Sequence, residues 1–87
     1  MKQDQLSEWI PAADAGDLLT RVLQAQGFVY GIEVINLPSC EDPGLEILEC
    51  EEGFEGKEGL AICLEFIDEM VSTHGAENIR FEISFRS

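Results

Sequence analysis

Cys40, Cys50, Cys63 and His74 are the residues whose chemistry would matter most if they met. Three thiolates and one imidazole make a known structural zinc set, and a cysteine beside a histidine is the heart of a thiol nucleophile. The spacing argues against both. The gaps between the four are 10, 13 and 11 residues, without the close Cys-x-x-Cys pair that forms a zinc knuckle. Cys63 and His74 on one helix would stand roughly 16 Å apart along its axis, too far to share a proton. Three cysteines are an odd number with no paired framework, which points to a reducing compartment and to cysteines that pack as small hydrophobes.

Other chemistries fare no better. Gly53, Gly56 and Gly59 precede a predicted helix, the outline of a phosphate loop. Glu52, Glu55 and Glu58 would repel a phosphate, however, and Lys57 lacks the Gly-Lys-Ser/Thr context. The alternating acids, central Gly and closing Glu of a calcium loop are missing. Glu49, Glu51 and Glu52 around Cys50 read as a solvated face before they read as a divalent-ion site. Paired carboxylates for glycoside chemistry need a cleft that splits their pKa values, and a domain of 87 residues has little concave volume. The expectation is a protein that is not an enzyme, with no catalytic residues, metal or cofactor.

The charge remains to be explained. Eighteen Asp and Glu against five Lys and Arg leave a net charge of -13. Eleven of the acids lie in residues 41–69, opposed there by Lys57 alone. So much like charge on a small fold repels itself, and a basic surface relieves the repulsion. The same sign disfavours direct nucleic-acid binding, which needs Lys and Arg against phosphate, and anionic membrane surfaces. A hydrophobic content of 45% is too high for a disordered acidic tail. The start of the chain has one Lys and no apolar run, unlike a signal peptide, and no stretch reaches the roughly 18 apolar residues of a membrane span. A cytoplasmic location follows as the expectation.

The elements that must position these acids read as follows. Residues 1–13 are ambiguous, with Leu6, Trp9 and Ile10 ahead of Pro11. Asp14 is placed to cap a helix carrying Leu18, Leu19, Val22 and Leu23 at helical spacing, and Gly27 to end it in a left-handed conformation. Residues 28–35 alternate as a strand, with Phe28, Tyr30, Ile32 and Val34 on one face and Val29, Gly31, Glu33 and Ile35 on the other. Two prolines, the second in a Pro-Gly pair, turn the chain over residues 36–44, and a second strand covers 45–50. A glycine-rich loop carrying Phe54 leads to a helix whose stripe is Leu60, Cys63, Leu64, Ile67, Met70 and Val71. It ends near His74 and Gly75. Ile79, Phe81, Ile83 and Phe85 then alternate with Arg80, Glu82, Ser84 and Arg86 as the last strand.

The predicted class is α+β, one domain over residues 1–87 in the order α-β-β-α-β, with two helices on one face of a three-stranded sheet. If residues 6–10 add a strand, the order becomes the ferredoxin-like β-α-β-β-α-β. On this frame Glu41, Asp42, Glu46, Glu49, Glu51, Glu52, Glu55 and Glu58 are displayed together, with Phe54, Trp9 or Tyr30 as aromatic anchors. The expected function is an acidic inhibitor or nucleic-acid mimic that blocks a basic partner, a nuclease or another nucleic-acid-binding protein. Bacteriocin immunity proteins, anti-CRISPR proteins and DNA-mimic proteins are similar in size and charge, without a shared motif. The alternative is a structural or regulatory subunit that forms a homodimer or larger oligomer through a strand edge or through the face of Arg80, Glu82, Ser84 and Arg86.

Overall fold

A computed structural model describes residues 5–37 and 46–87. The chain runs β1 (Gln5–Leu6), α1 (Ala12–Gln24), β2 (Phe28–Asn36), β3 (Glu46–Phe54), α2 (Gly56–His74), a 3-10 turn (Ala76–Asn78) and β4 (Ile79–Arg86). The class is α+β. The sheet has four strands where three were expected, in the order β1-β4-β2-β3, and every neighbouring pair is antiparallel. The added strand realises the alternative element order β-α-β-β-α-β. The central pair is β4 and β2, whereas a ferredoxin-like sheet centres its first and third strands.

The two helices cover one face. Ala15, Leu19, Val22 and Leu23 of α1 meet Cys63, Phe66, Ile67 and Met70 of α2 over Val29, Ile32, Val34, Ile79, Phe81 and Ile83 of the central strands. Each fully buried Leu, Ile, Val or Phe here contributes about 1.5–3 kcal/mol relative to exposure. Of the stripes read from sequence, Leu18, Leu60, Leu64 and Val71 are half-buried at its rim, and Phe66 joins the core.

Several boundaries move for local reasons. α1 begins at Ala12 with Pro11 extended before it, so Asp14 lies in the first turn instead of capping the helix. Its carboxylate there still favours the positive end of the helix dipole. At the other end Gln26, not Gly27, takes the left-handed conformation, at φ 66°. The Gln26 amide donates to the Leu23 carbonyl and the Gly27 amide to the Val22 carbonyl, the paired bonds of a Schellman ending. Gly27 is required for closeness instead, because a Cβ there would stand 2.5 Å from the Arg86 carbonyl oxygen.

β3 runs to Phe54, so Gly53 belongs to a strand and Gly56 and Gly59 to α2; Glu55 alone separates the two elements. β1 is held by few contacts. Leu6 pairs with Ser84, the Ser7 amide donates to the Ile83 carbonyl at 2.9 Å, and the Ile83 amide donates to the Ser7 hydroxyl at 2.8 Å. Ile10 then bridges to Phe81 before Pro11 opens α1.

Candidate functional site

The face of the sheet away from the helices has no layer of its own among the described residues, and β2 determines its shape. Val29 pairs with Phe85 and Gly31 with Ser84, so Tyr30 is an extra residue against β4. Against β3 the irregularity is larger: Val29 pairs with Phe54 and Gly31 with Glu49, leaving residues 50–53 opposite Tyr30 alone. Bulges shift the phase of a strand and increase its twist. The shift puts Val29 on the buried face with Ile32 and Val34, and it puts Tyr30 on the open face with Gly31 and Glu33. The strict alternation expected for β2 therefore fails at Tyr30. Gly53 allows the return, with φ 92° and a would-be Cβ only 3.0 Å from the Tyr30 ring.

Two adjoining hollows result, and both include Tyr30 and Glu49. The first, about 280 Å³, lies over two rungs of the sheet. One rung is Leu6, Ser84, Gly31 and Glu49 across all four strands; the next is Glu82, Glu33 and Ile47. Leu6 is 68% exposed and Ile47 52%. The second hollow, about 450 Å³, is the concavity of the β3 bulge, where Cys50, Glu51 and Glu52 face Arg86. Arg86 stands over the Tyr30 ring at 5.6 Å, and Phe28 stacks beside Tyr30 with centroids 6.4 Å apart. A cation over an aromatic face is favourable by about 0.5–1 kcal/mol at an exposed site.

The acids named from sequence are thus divided. Glu49, Glu51 and Glu52 come together around the bulge. Glu46 is exposed at the edge, in phase with Val34 on the helix side. Glu55 and Glu58 lie at the start of α2, away from both hollows. Glu41 and Asp42 lie outside the described residues. Of the aromatic anchors, Phe54 packs against the core, Trp9 is 40% exposed outside the hollows, and Tyr30 lies between them. Sequence reading put Glu33 on one face of its strand with Val29, Gly31 and Ile35, and Glu82 on the face considered for self-association, and counted neither among the partner-binding acids. The missing information was that β4 neighbours β2.

The cysteines have separate settings. Cys63 is buried in α2 and its thiol is pushed up to about 12, first by burial and then by the nearby Cys50. A thiol so far from ionising is a poor nucleophile at neutral pH. Cys50 is half-buried, and Cys40 lies outside the described residues. Among the described residues no three His, Cys, Asp or Glu side chains converge as a metal ion requires, and no helix is long and apolar enough to cross a membrane.

Among the described residues the architecture is α+β, with one sheet face covered by helices and the other open, hollowed and rich in carboxylates. No protein-family model, curated protein or solved structure matches the chain.

Proposed function

We propose that this chain is a non-enzymatic binding protein that blocks a basic, nucleic-acid-handling partner, in the manner of an immunity or anti-CRISPR protein. The observation that carries the reading is the gathering of Glu49, Glu51 and Glu52 around the β3 bulge, in a hollow continuous with the groove of Glu33 and Glu82. Five carboxylates on one side of a domain of net charge -13 give a field that steers a positive surface toward it. Exposed Leu6 and Ile47 and the Tyr30 ring supply the apolar contact that charge alone lacks. The free thiols Cys50 and Cys63 suit a reducing compartment, and the cytoplasm is the proposed location.

Self-association fits the charges less well. β3 is one of the two edge strands of the sheet, the other being the two-residue β1, and an antiparallel copy at the β3 edge would bring Glu46, Glu49, Glu51 and Glu52 against one another.

The test is capture from a nuclease-treated cell lysate, comparing the native chain with a Glu49→Gln, Glu51→Gln, Glu52→Gln variant. All three side chains are exposed, so the fold should survive. A basic nucleic-acid-binding protein retained by the native chain and lost from the variant, and released by added salt, is the expected result. Equal retention by both, or nothing retained by either, would return these acids to a solubilising role.

A further inference from the structure

The acidic run does not account for the centre of the open face. Glu33 and Glu82 both lie outside it in sequence, yet they are direct cross-strand partners on the two central strands. Like charges in that relation destabilise a sheet. Glu49 approaches the same groove from β3. One rung away the floor is bare, because Gly31 and Ser84 are partners with almost no side chain between them. Gly31 is not forced by backbone or by crowding: its φ is not positive, and a Cβ there would find only the Leu48 carbonyl oxygen at 3.5 Å, an ordinary contact. Leu6 and Ile47 stand at opposite ends of the two rungs as exposed apolar rails.

We infer that this groove receives a lysine or arginine side chain from an extended basic segment of a protein partner. The cationic head lies among Glu33, Glu82 and Glu49, and the aliphatic stem runs over the Gly31–Ser84 floor beside the apolar rails. Long basic side chains bury their stems on apolar surface while the charge finds polar partners. A second copy would bring this face, five carboxylates against Arg80 and Arg86, onto another of the same net negative charge, so charge complementarity chooses the basic segment. The inference rests on the acidic-binding reading and narrows it to one groove.

The test titrates the isotope-labelled full chain with a synthetic decapeptide of alternating lysine and valine, following backbone amides by NMR, with a glutamate–valine peptide as the control. Saturable shifts are expected at Gly31, Glu33, Glu82 and Ser84 with the basic peptide only. Gly31→Val keeps every carboxylate and fills the floor; it should weaken binding tenfold or more while the spectrum stays folded. Gly31→Ala serves as the milder variant if valine disturbs the strand. Glu33→Gln with Glu82→Gln should weaken binding as much.

Shifts confined to residues 46–58, or a folded Gly31→Val variant that binds as the native chain does, overturn the groove while leaving the acidic-binding reading intact. Absence of peptide binding overturns the groove, and the broader reading then stands or falls on the lysate capture. Dimerisation without peptide that shifts these same amides assigns the groove to a second copy and overturns the basic segment.

Discussion

Glu33 and Glu82 are cross-strand partners at the centre of the open sheet face, on the two strands that also build the core beneath them. Like charges directly opposite one another destabilise a sheet. Replacing either by Gln should therefore stabilise the fold, by about 0.2–1 kcal/mol for a directly opposed pair. Urea unfolding at low and high salt would measure it. The gain should shrink as salt screens the pair, since the Debye length falls from about 30 Å at 0.01 M to about 3 Å at 1 M. The double Gln variant should gain less than the sum of the single gains, because each single change already removes the repulsion. Stability unchanged or lowered in both single variants would show that these carboxylates do not oppose each other.

The end of α1 gives a paired prediction one residue apart. Gln26 holds φ 66° at the helix terminus, a conformation that costs a residue with a Cβ about 1–2 kcal/mol. Gln26→Gly removes that strain but adds freedom to the unfolded chain, leaving a net gain of about 0.5 kcal/mol. Gly27→Ala should do the reverse. Its methyl would press on the Arg86 carbonyl and on Val22, costing about 2 kcal/mol or more as an overpacked site between helix end and sheet. Thermal unfolding of the two variants should move the midpoint in opposite directions.

These two residues also show where sequence reading succeeds and where it stops. The helix end near Gly27 was legible from its glycine, but which residue turns left-handed depends on how closely β4 passes behind it. β4 itself was legible because Ile79, Phe81, Ile83 and Phe85 alternate without interruption, and the α2 stripe because its apolar spacing holds over several turns. β2 was half legible. Its pattern fits a strand, but the extra Tyr30 reverses the faces N-terminal to it, and a bulge has no mark in the apolar pattern of a strand this short. β1 is two exposed residues, formed by pairing with β4 and not by local preference. For the site, the run on β3 was visible as composition. The opposition of Glu33 and Glu82 was not, because residues 49 positions apart meet only once the sheet order is known.

Gly59 tests the junction between β3 and α2. Helix propensity alone predicts that Gly59→Ala stabilises α2 by about 1 kcal/mol. The packing predicts otherwise. A Cβ at this position would lie 2.9 Å from the Phe54 carbonyl carbon and 3.1 Å from its Cβ, and only Glu55 separates strand from helix. The backbone cannot move away without shifting Phe54 from the core, so overpacking of about 1–3 kcal/mol should outweigh the propensity gain. Urea unfolding of Gly59→Ala should show a lower midpoint with the slope unchanged. A higher midpoint would mean that the helix start is free to move outward.

Cys63 is a thiol buried on the inner face of α2. Its folded pKa is pushed up to about 12, by burial first and by Cys50 second, from an ordinary 9.0. Unfolding exposes the thiol to water, where it ionises near the ordinary value. Between pH 9 and 12 the folded chain therefore holds a proton that the unfolded chain has released. By linkage, stability falls as pH rises through that window, and the contribution is fully present below it. Cys63→Ala lowers stability at neutral pH by removing a packed group, but it also removes this titration. Its stability should decline less steeply with alkaline pH than that of the native chain, in urea melts taken from pH 8 upward. The same burial should let iodoacetamide reach the half-buried Cys50 well before Cys63 in the folded protein at pH 8. Equal alkaline slopes, together with equal alkylation of Cys50 and Cys63, would mean that α2 opens readily enough for Cys63 to ionise in place, and that the core between α2 and the sheet is much looser than its packing indicates.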